Sequence, residues 1–108
     1  MKVSELVADK RFEAISLPSP DREISGSYIG DLLSWVMGRA EADNAWVTIM
    51  SNVNVIAVAT LADVSCVILA EGVSLDAQTT ATAFEKGVNV ISSPLSAYEI
   101  ALALGGMI

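Results

Sequence analysis

The chain has 108 residues, 53% of them hydrophobic and 18% charged, which is typical of one folded domain and excludes a disordered chain. Thirteen acidic residues against six basic ones give a net charge of −7 at pH 7, histidine is absent, and Cys66 is the only cysteine. These counts exclude Ser–His–Asp and Cys–His nucleophile pairs, an imidazole base and an ordinary zinc site. A single cysteine forms no internal disulfide, so nothing indicates an oxidising compartment.

Neither nucleic acid nor a membrane is expected as a partner. Binding a phosphate backbone requires clustered cations, whereas only residues 10–11 are adjacent basic residues, and acids flank them. Residues 44–62 carry no charge and are about as long as a bilayer span, but residues 51–54 place polar side chains near their centre. The favoured interpretation is strand, turn and helix. Because no apolar run precedes the first charges at the N-terminus, we expect a cytoplasmic protein.

In chain order, the first predicted element is a short helix at residues 4–10, followed by an extended segment at 12–17. Prolines within residues 17–21 predict a loop, since two prolines so close prevent regular structure. From residue 23 onward, strand and helix patterns alternate about every twenty residues. Strands are predicted at 23–29, 45–50, 65–70 and 88–91, and the helices that follow them end near residues 40, 63, 86 and 104.

The central predicted strands are continuous apolar runs rather than alternations of apolar and polar residues. WVTIM at residues 46–50 and CVILA at 66–70 indicate strands that are buried on both faces. Doubly buried strands that alternate with helices predict a parallel sheet with helices on each side. The predicted fold is one α/β domain over residues 1–108, a three-layer α/β/α sandwich with a mostly parallel five-stranded sheet built from repeated β-α units.

Several residues are predicted to begin or end helices. Asp31 and Asp76 suit N-caps, and residues 96–99 match the capping box, in which a serine and a glutamate exchange hydrogen bonds with the backbone. Gly87 and Gly105 stand where a helix ends in a left-handed residue.

Two blocks, SYIGDLLSWVM at residues 27–37 and WVTIMSNVNVIAVA at 46–59, resemble the small stand-alone proteins of the DRTGG-domain family. That domain is similar to the N-terminal domain of HPr kinase/phosphorylase and to the substrate-domain fold of Mur ligases. The resemblance implies a regulatory, dimeric α/β domain. Elsewhere the domain is fused to CBS modules, pyrophosphatases and acyltransferase-like enzymes, where it lies at subunit contacts and beside nucleotide-sensing parts. The Asp-Arg-Thr-Gly-Gly string itself is absent, and its nearest match is DREISG at residues 21–26.

A ligand of an open parallel sheet binds outside the carboxyl ends of the strands. The loops there carry the candidate ligand-binding residues Gly30, Asp31, Ser51, Asn52, Asn54, Ser92 and Ser93. Backbone N–H groups and amides at residues 51–54 suit an anion or the polar edge of a nucleotide. Alternatively, Asn54 caps its helix and Asn52 supplies a turn conformation, which we favour. No glycine-rich phosphate loop is present, and no cofactor or metal is expected.

Other chemistry-bearing residues have a simpler interpretation. Asp31 and Asp63 could form a carboxylate dyad or a magnesium site, but a cap and a helix-end surface charge are favoured. Cys66 lies in an apolar strand and is expected to be inert. Trp35 and Trp46 are assigned to core or interface packing rather than to an aromatic ligand platform.

The helix at residues 55–62 has no charged face, so it should be buried on more than one side, and a partner chain is expected to cover it. With a mean hydropathy of +0.54, these features predict a homodimer. The predicted function is a non-catalytic regulatory or ligand-sensing module, not an enzyme, that binds a nucleotide or another small anion. The alternative is an accessory subunit of a kinase or redox enzyme system, which docks onto that enzyme and has no ligand of its own. A small transferase or hydrolase is disfavoured.

Overall fold

A computed structural model describes residues 1–108 and contains five helices and five strands. Their order is α1 (Val3–Val7), β1 (Glu13–Ser16), β2 (Gly26–Ile29), α2 (Leu33–Arg39), β3 (Asn44–Thr48), α3 (Val53–Ala62), β4 (Cys66–Leu69), α4 (Ala77–Glu85), β5 (Val90–Ser92) and α5 (Ala97–Met107). The strands form one sheet in the order β1-β5-β4-β3-β2. Strands β2 to β5 are parallel and β1 is antiparallel to β5, which confirms the mostly parallel five-stranded sheet.

The sheet separates two apolar clusters, because successive side chains of a strand point to opposite faces. Val47 of β3 and Ile68 of β4 belong to the first cluster, together with buried residues of α1 and α5. Trp46 and Val67 belong to the second cluster, together with buried residues of α2, α3 and α4. This arrangement of helices on both faces is consistent with an α/β sandwich and explains why the central strands β3 and β4 are buried at every position.

The first helix, predicted to end at residue 10, ends at Val7, and the last strand, predicted from residue 88, begins at Val90. Two further boundaries are wrong for identifiable reasons. The strand predicted at 23–29 begins only at Gly26, because the segment before it bonds to the chain start: the N–H of Ile24 donates to the carbonyl of Met1 at 2.7 Å. Gly105 does not end the last helix, since α5 continues through it to Met107. Gly87 does take the predicted left-handed conformation after α4, with φ +75°.

The predicted helix caps are confirmed at two of three sites. Asp76 accepts a hydrogen bond from the N–H of Thr79 at 2.7 Å, and the Ser96–Glu99 capping box is complete. Asp31 is not the cap of α2, which begins after Leu32 without a side-chain cap. The carboxylate of Asp31 is bonded instead to the loop after β3, as described below.

The amino-terminal end of the sheet holds an ion-pair cluster. The guanidinium of Arg22 lies 2.9 Å from a carboxylate oxygen of Asp43 and 2.9 Å from one of Asp63, and it also donates to the carbonyl of Asp63. Both aspartates have positive φ, at 68° and 57°, where the chain turns into β3 and β4. The cluster therefore joins the segment before β2 to the turns that precede two other strands.

Asn89, just before β5, is the central polar side chain of the same end of the sheet. It is only 2% exposed. Its Nδ2 donates to the carbonyls of Ser19 and Ser65 at 2.8 and 2.9 Å, and its Oδ1 accepts from the N–H of Ser19 at 2.9 Å. One buried amide thus bonds the proline-containing loop to the start of β4.

Candidate functional site

The predicted ligand-binding residues all lie at the carboxyl end of the parallel strands, but they fall into two groups. Gly30 and Asp31 follow β2, and residues 51–54 follow the neighbouring strand β3. Ser92 and Ser93 lie at the end of β5, on the far side of β4. With strands about 4.8 Å apart, β5 and β3 are separated by roughly 10 Å. The sequence therefore grouped residues that belong to two different parts of this edge.

The β2–β3 part of the edge is closed by its own hydrogen bonds. Asp31 Oδ1 accepts from Thr48 Oγ1 at 2.7 Å and from the N–H of Ile49 at 3.0 Å. Trp46 Nε1 donates to the carbonyl of Gly30 at 2.9 Å. A Cβ at Gly30 would lie 3.0 Å from a ring carbon of Tyr28, so little space is left beside that position. Trp46 is fully buried, which confirms its assignment to the core.

Residues 51–54 begin α3, and the cap is Asn52 rather than Asn54. The side-chain oxygen of Asn52 accepts from the N–H of Asn54 at 2.9 Å. This geometry corrects the alternative in which Asn54 was the cap and Asn52 the turn residue. The side chains of Ser51 and Asn54 form no hydrogen bond within the protein, so they are the polar groups of this loop that remain open to a ligand.

The loops after β4 and β5 bond to each other, because the N–H of Gly72 donates to the carbonyl of Ser93 and the N–H of Glu71 to the carbonyl of Leu95, each at 2.8 Å. A crevice of about 470 Å³ lies beside them, between β1 and the loop after β4, across the end of β5. Gly72, Ser74, Ser92 and Pro94 line one side of it. Of the predicted residues, Ser92 lines this cleft.

Two cations line the same crevice, and the sequence analysis missed them as functional residues. Lys10 and Arg11 reach it because β1 runs antiparallel to β5, with Glu13 paired to Ser92. The start of β1 therefore lies beside the end of β5. The sequence shows these residues only as an isolated basic pair flanked by acids. Knowing that the N-terminal extended segment pairs with the last strand would have indicated them, but no local sequence pattern specifies that pairing.

Arg11 is held in place by Asp9. The guanidinium donates from Nε at 3.0 Å and from Nη2 at 2.6 Å to the two carboxylate oxygens. These side-chain hydrogen bonds are the main reason that the pKa of Asp9 falls from its ordinary value of 3.8 to about 2. Nη1 of Arg11 has no partner in the protein, and half of the side chain is exposed. Asp9 thus fixes one edge of the guanidinium and leaves the other available.

The two serines at the end of β5 have structural roles. Ser92 Oγ donates to the carbonyl of Val73 at 2.9 Å, which leaves its lone pairs but not its proton for a ligand. Ser93 is 1% exposed, and its Oγ accepts from the N–H of Leu95 at 3.2 Å. Ser93 therefore supports the loop before α5 from inside the protein and does not face the crevice.

The other chemistry-bearing residues do not converge. Asp31 lies at the carboxyl end of β2 and Asp63 at the opposite end of the sheet with Arg22, so the two form no dyad. Burial raises the pKa of the Cys66 thiol from 9.0 to about 12, which makes it a poor nucleophile. No group of three or more acidic or cysteine side chains is placed to hold a metal ion. None of the helices has the length and apolar character needed to cross a membrane.

A scan of the sequence against protein-family models finds no match, and no curated protein matches it. Among solved structures, the chain is similar to the CBS and DRTGG domains of the regulatory region of Clostridium perfringens pyrophosphatase, crystallised with the activator diadenosine tetraphosphate. The TM-score is 0.75 at 10% sequence identity, over 94% of this chain and 44% of that chain. The likeness shows a shared fold with part of that regulatory region, and the chain spans less than half of its length. The expected similarity to HPr kinase/phosphorylase stays a prediction.

Proposed function

We propose that this protein is a non-catalytic regulatory module that senses a small, nucleotide-like ligand at the carboxyl end of its sheet. The observation that carries the proposal is the crevice between β1 and the loop after β4, an open cleft across the carboxyl end of β5. The fold itself is shared with part of a regulatory region that was crystallised with a dinucleotide activator. A regulatory module needs a ligand site and no reacting group, and the inert Cys66 and the separated aspartates suit that role.

Thermal unfolding in the presence of nucleotides tests this proposal. A ligand that binds only the folded state at about 100 times its Kd adds ~2.7 kcal/mol to the free energy of unfolding. For a domain of this size that corresponds to a rise in Tm of roughly 10 °C. We expect such a rise with at least one member of a panel of adenosine, AMP, ATP and diadenosine tetraphosphate. If none of them changes the Tm, the ligand-sensing function fails, and the accessory subunit without a ligand replaces it.

We further propose that the module acts as a homodimer through the α2–α3 surface, defined by the exposed side chains Leu32, Trp35, Met37, Val53 and Leu61. Val53 and Leu61 lie on the side of α3 that forms a groove with Thr82 and Lys86 of α4. Exposure reaches 74% at Leu61. Helices α2 and α3 contain no acidic residue, although the chain carries a net charge of −7. Two copies of an acidic protein repel each other least where acids are absent, and a second copy offers a matching apolar surface. A second copy is therefore the occupant that this surface fits.

Sedimentation velocity at micromolar concentration tests the dimer with two matched variants. Leu61→Asp places a charge on the α2–α3 surface, and Leu102→Asp makes the same change on α5, where the leucine is 60% exposed on the other layer. We expect a dimer for the parent and for Leu102→Asp, and a monomer for Leu61→Asp. A monomeric parent, or equal effects of the two variants, contradicts the proposal.

A further inference from the structure

The crevice between β1 and the loop after β4 carries two cations in an acidic protein. Lys10 and Arg11 line it together with the carboxylate of Glu13, and Asp9 pairs with Arg11 from outside the cleft. Lys10 forms no ion pair, whereas Arg22 is engaged by two aspartates at the opposite end of the sheet. A net charge of −7 repels anions over most of the surface, whereas here the two cations offset the carboxylates of Glu13 and Asp9, and the ammonium of Lys10 has no carboxylate partner. An anion therefore meets less repulsion at this cleft than elsewhere.

The donors in the crevice suit the oxygens of a phosphate group. The free edge of the Arg11 guanidinium and the ammonium of Lys10 supply charged N–H donors. The hydroxyl of Ser74 has no partner within the protein and lines the same space.

The size and the mixed polarity of the crevice limit the ligand class. At about 470 Å³ it exceeds the space that one inorganic phosphate needs and falls in the range of small-molecule sites. Glu13 adds an acceptor beside the two cations, which suits a ligand that carries hydroxyl groups as well as phosphate.

We infer that the crevice between β1 and the loop after β4 binds the phosphate group of a small phosphorylated ligand through Lys10 and Arg11. The inference rests on the proposed ligand-sensing function and assigns its site. Asp9 is a positioning residue, because it fixes the guanidinium of Arg11 without lining the cleft. The open loop at residues 51–54 is the competing location on the same edge of the sheet.

Isothermal titration calorimetry with inorganic pyrophosphate, AMP and adenosine tests the assignment. The variants are Lys10→Ala and Arg11→Ala, with Lys86→Ala as the matched control that removes one positive charge from the far end of α4. We expect AMP and pyrophosphate to bind the parent, and adenosine to bind at least tenfold more weakly. Each crevice variant should lower the affinity for AMP by about tenfold, whereas Lys86→Ala should change that affinity less than twofold. Both phosphate affinities should fall as salt is raised.

The outcomes separate the site from the function. Equal losses of AMP affinity in Lys10→Ala and Lys86→Ala would show that the effect comes from the net charge of the protein, and would overturn the site. AMP binding that survives both crevice variants but is lost in Asn52→Ala with Asn54→Ala moves the ligand to the β3 loop, which overturns the site and leaves the sensing function intact. Absence of binding by any of the three compounds overturns the site, and the thermal panel above then decides the function.

Discussion

The two ends of the parallel sheet are built differently. At the amino-terminal end, Asn89 and Arg22 each bond to segments that are distant in sequence, and their polar atoms are engaged by the protein itself. At the carboxyl end, the β2–β3 part is closed by Asp31 and the loops after β4 and β5 bond to each other, but the crevice beside β1 keeps the Lys10 ammonium and one edge of the Arg11 guanidinium without a protein partner. The difference teaches that the polar side chains at the amino-terminal end join distant segments, whereas the two cations of the crevice bond to no distant segment and can be changed without loss of the fold.

The strongest test of this division is Asn89→Leu. This change removes the side-chain amide and leaves the carbonyls of Ser19 and Ser65 without their buried donor. The free energy of unfolding should therefore fall by about 2–4 kcal/mol. Asn54→Leu is the matched control, since that side chain is exposed and unbonded, and its effect should stay within ~0.5 kcal/mol. Urea unfolding measures both. Similar losses for the two variants would show that the amino-terminal end has no special role.

A smaller loss is expected at the closed part of the carboxyl end. Asp31→Ala removes the acceptor of the Thr48 hydroxyl and of the Ile49 N–H, and Thr48 is only 2% exposed. The free energy of unfolding should fall by about 1–2 kcal/mol, because a charged acceptor is lost but water can reach the exposed N–H. Asp31→Asn keeps an oxygen acceptor and should recover about half of the loss. Chemical denaturation of the three proteins checks the order, and an Asn variant as unstable as the Ala variant would contradict it.

Much of the fold could be predicted because its determinants are local. The runs around Trp46 and Val67 indicate strands buried on both faces, and the structure places successive residues of each in opposite clusters. The caps at Asp76 and Ser96 follow from side-chain oxygens that reach backbone N–H groups within the same turn. Asp31 has the same local pattern but a different role, because the parallel neighbour β3 offers it a buried hydroxyl at Thr48. That competition comes from tertiary structure and has no local sign.

The candidate site was predictable only in its general position. The carboxyl edge of the sheet follows from the order of strands and helices, so residues 30–31, 51–54 and 92–93 were correctly expected at that edge. Which loops share a cleft depends on strand order and on the faces to which the helices return. Lys10 and Arg11 enter the crevice through the antiparallel pairing of β1, a contact between segments about eighty residues apart in sequence. Charge counting along the chain could not reveal that juxtaposition.

The smallest expected effect is a change of stability at acidic pH, and it again distinguishes the two ends of the sheet. The hydrogen bond from the backbone N–H of Thr79 is the first cause of the lowered pKa of Asp76, whose ordinary value is 3.8. A carboxyl whose pKa is lower in the folded state contributes stability that is present above pH 3.8 and is lost as the pH falls through the lower folded value. Asp76→Asn keeps a side-chain oxygen that can cap the helix but has no carboxyl group that titrates. The stability difference between parent and variant, measured by urea midpoints, should therefore be constant from pH 7 to 5 and shrink below pH 4. The loss caused by Asn89→Leu has no titrating group and should stay constant over the same range, so a parallel decline of both differences would contradict the assignment to Asp76.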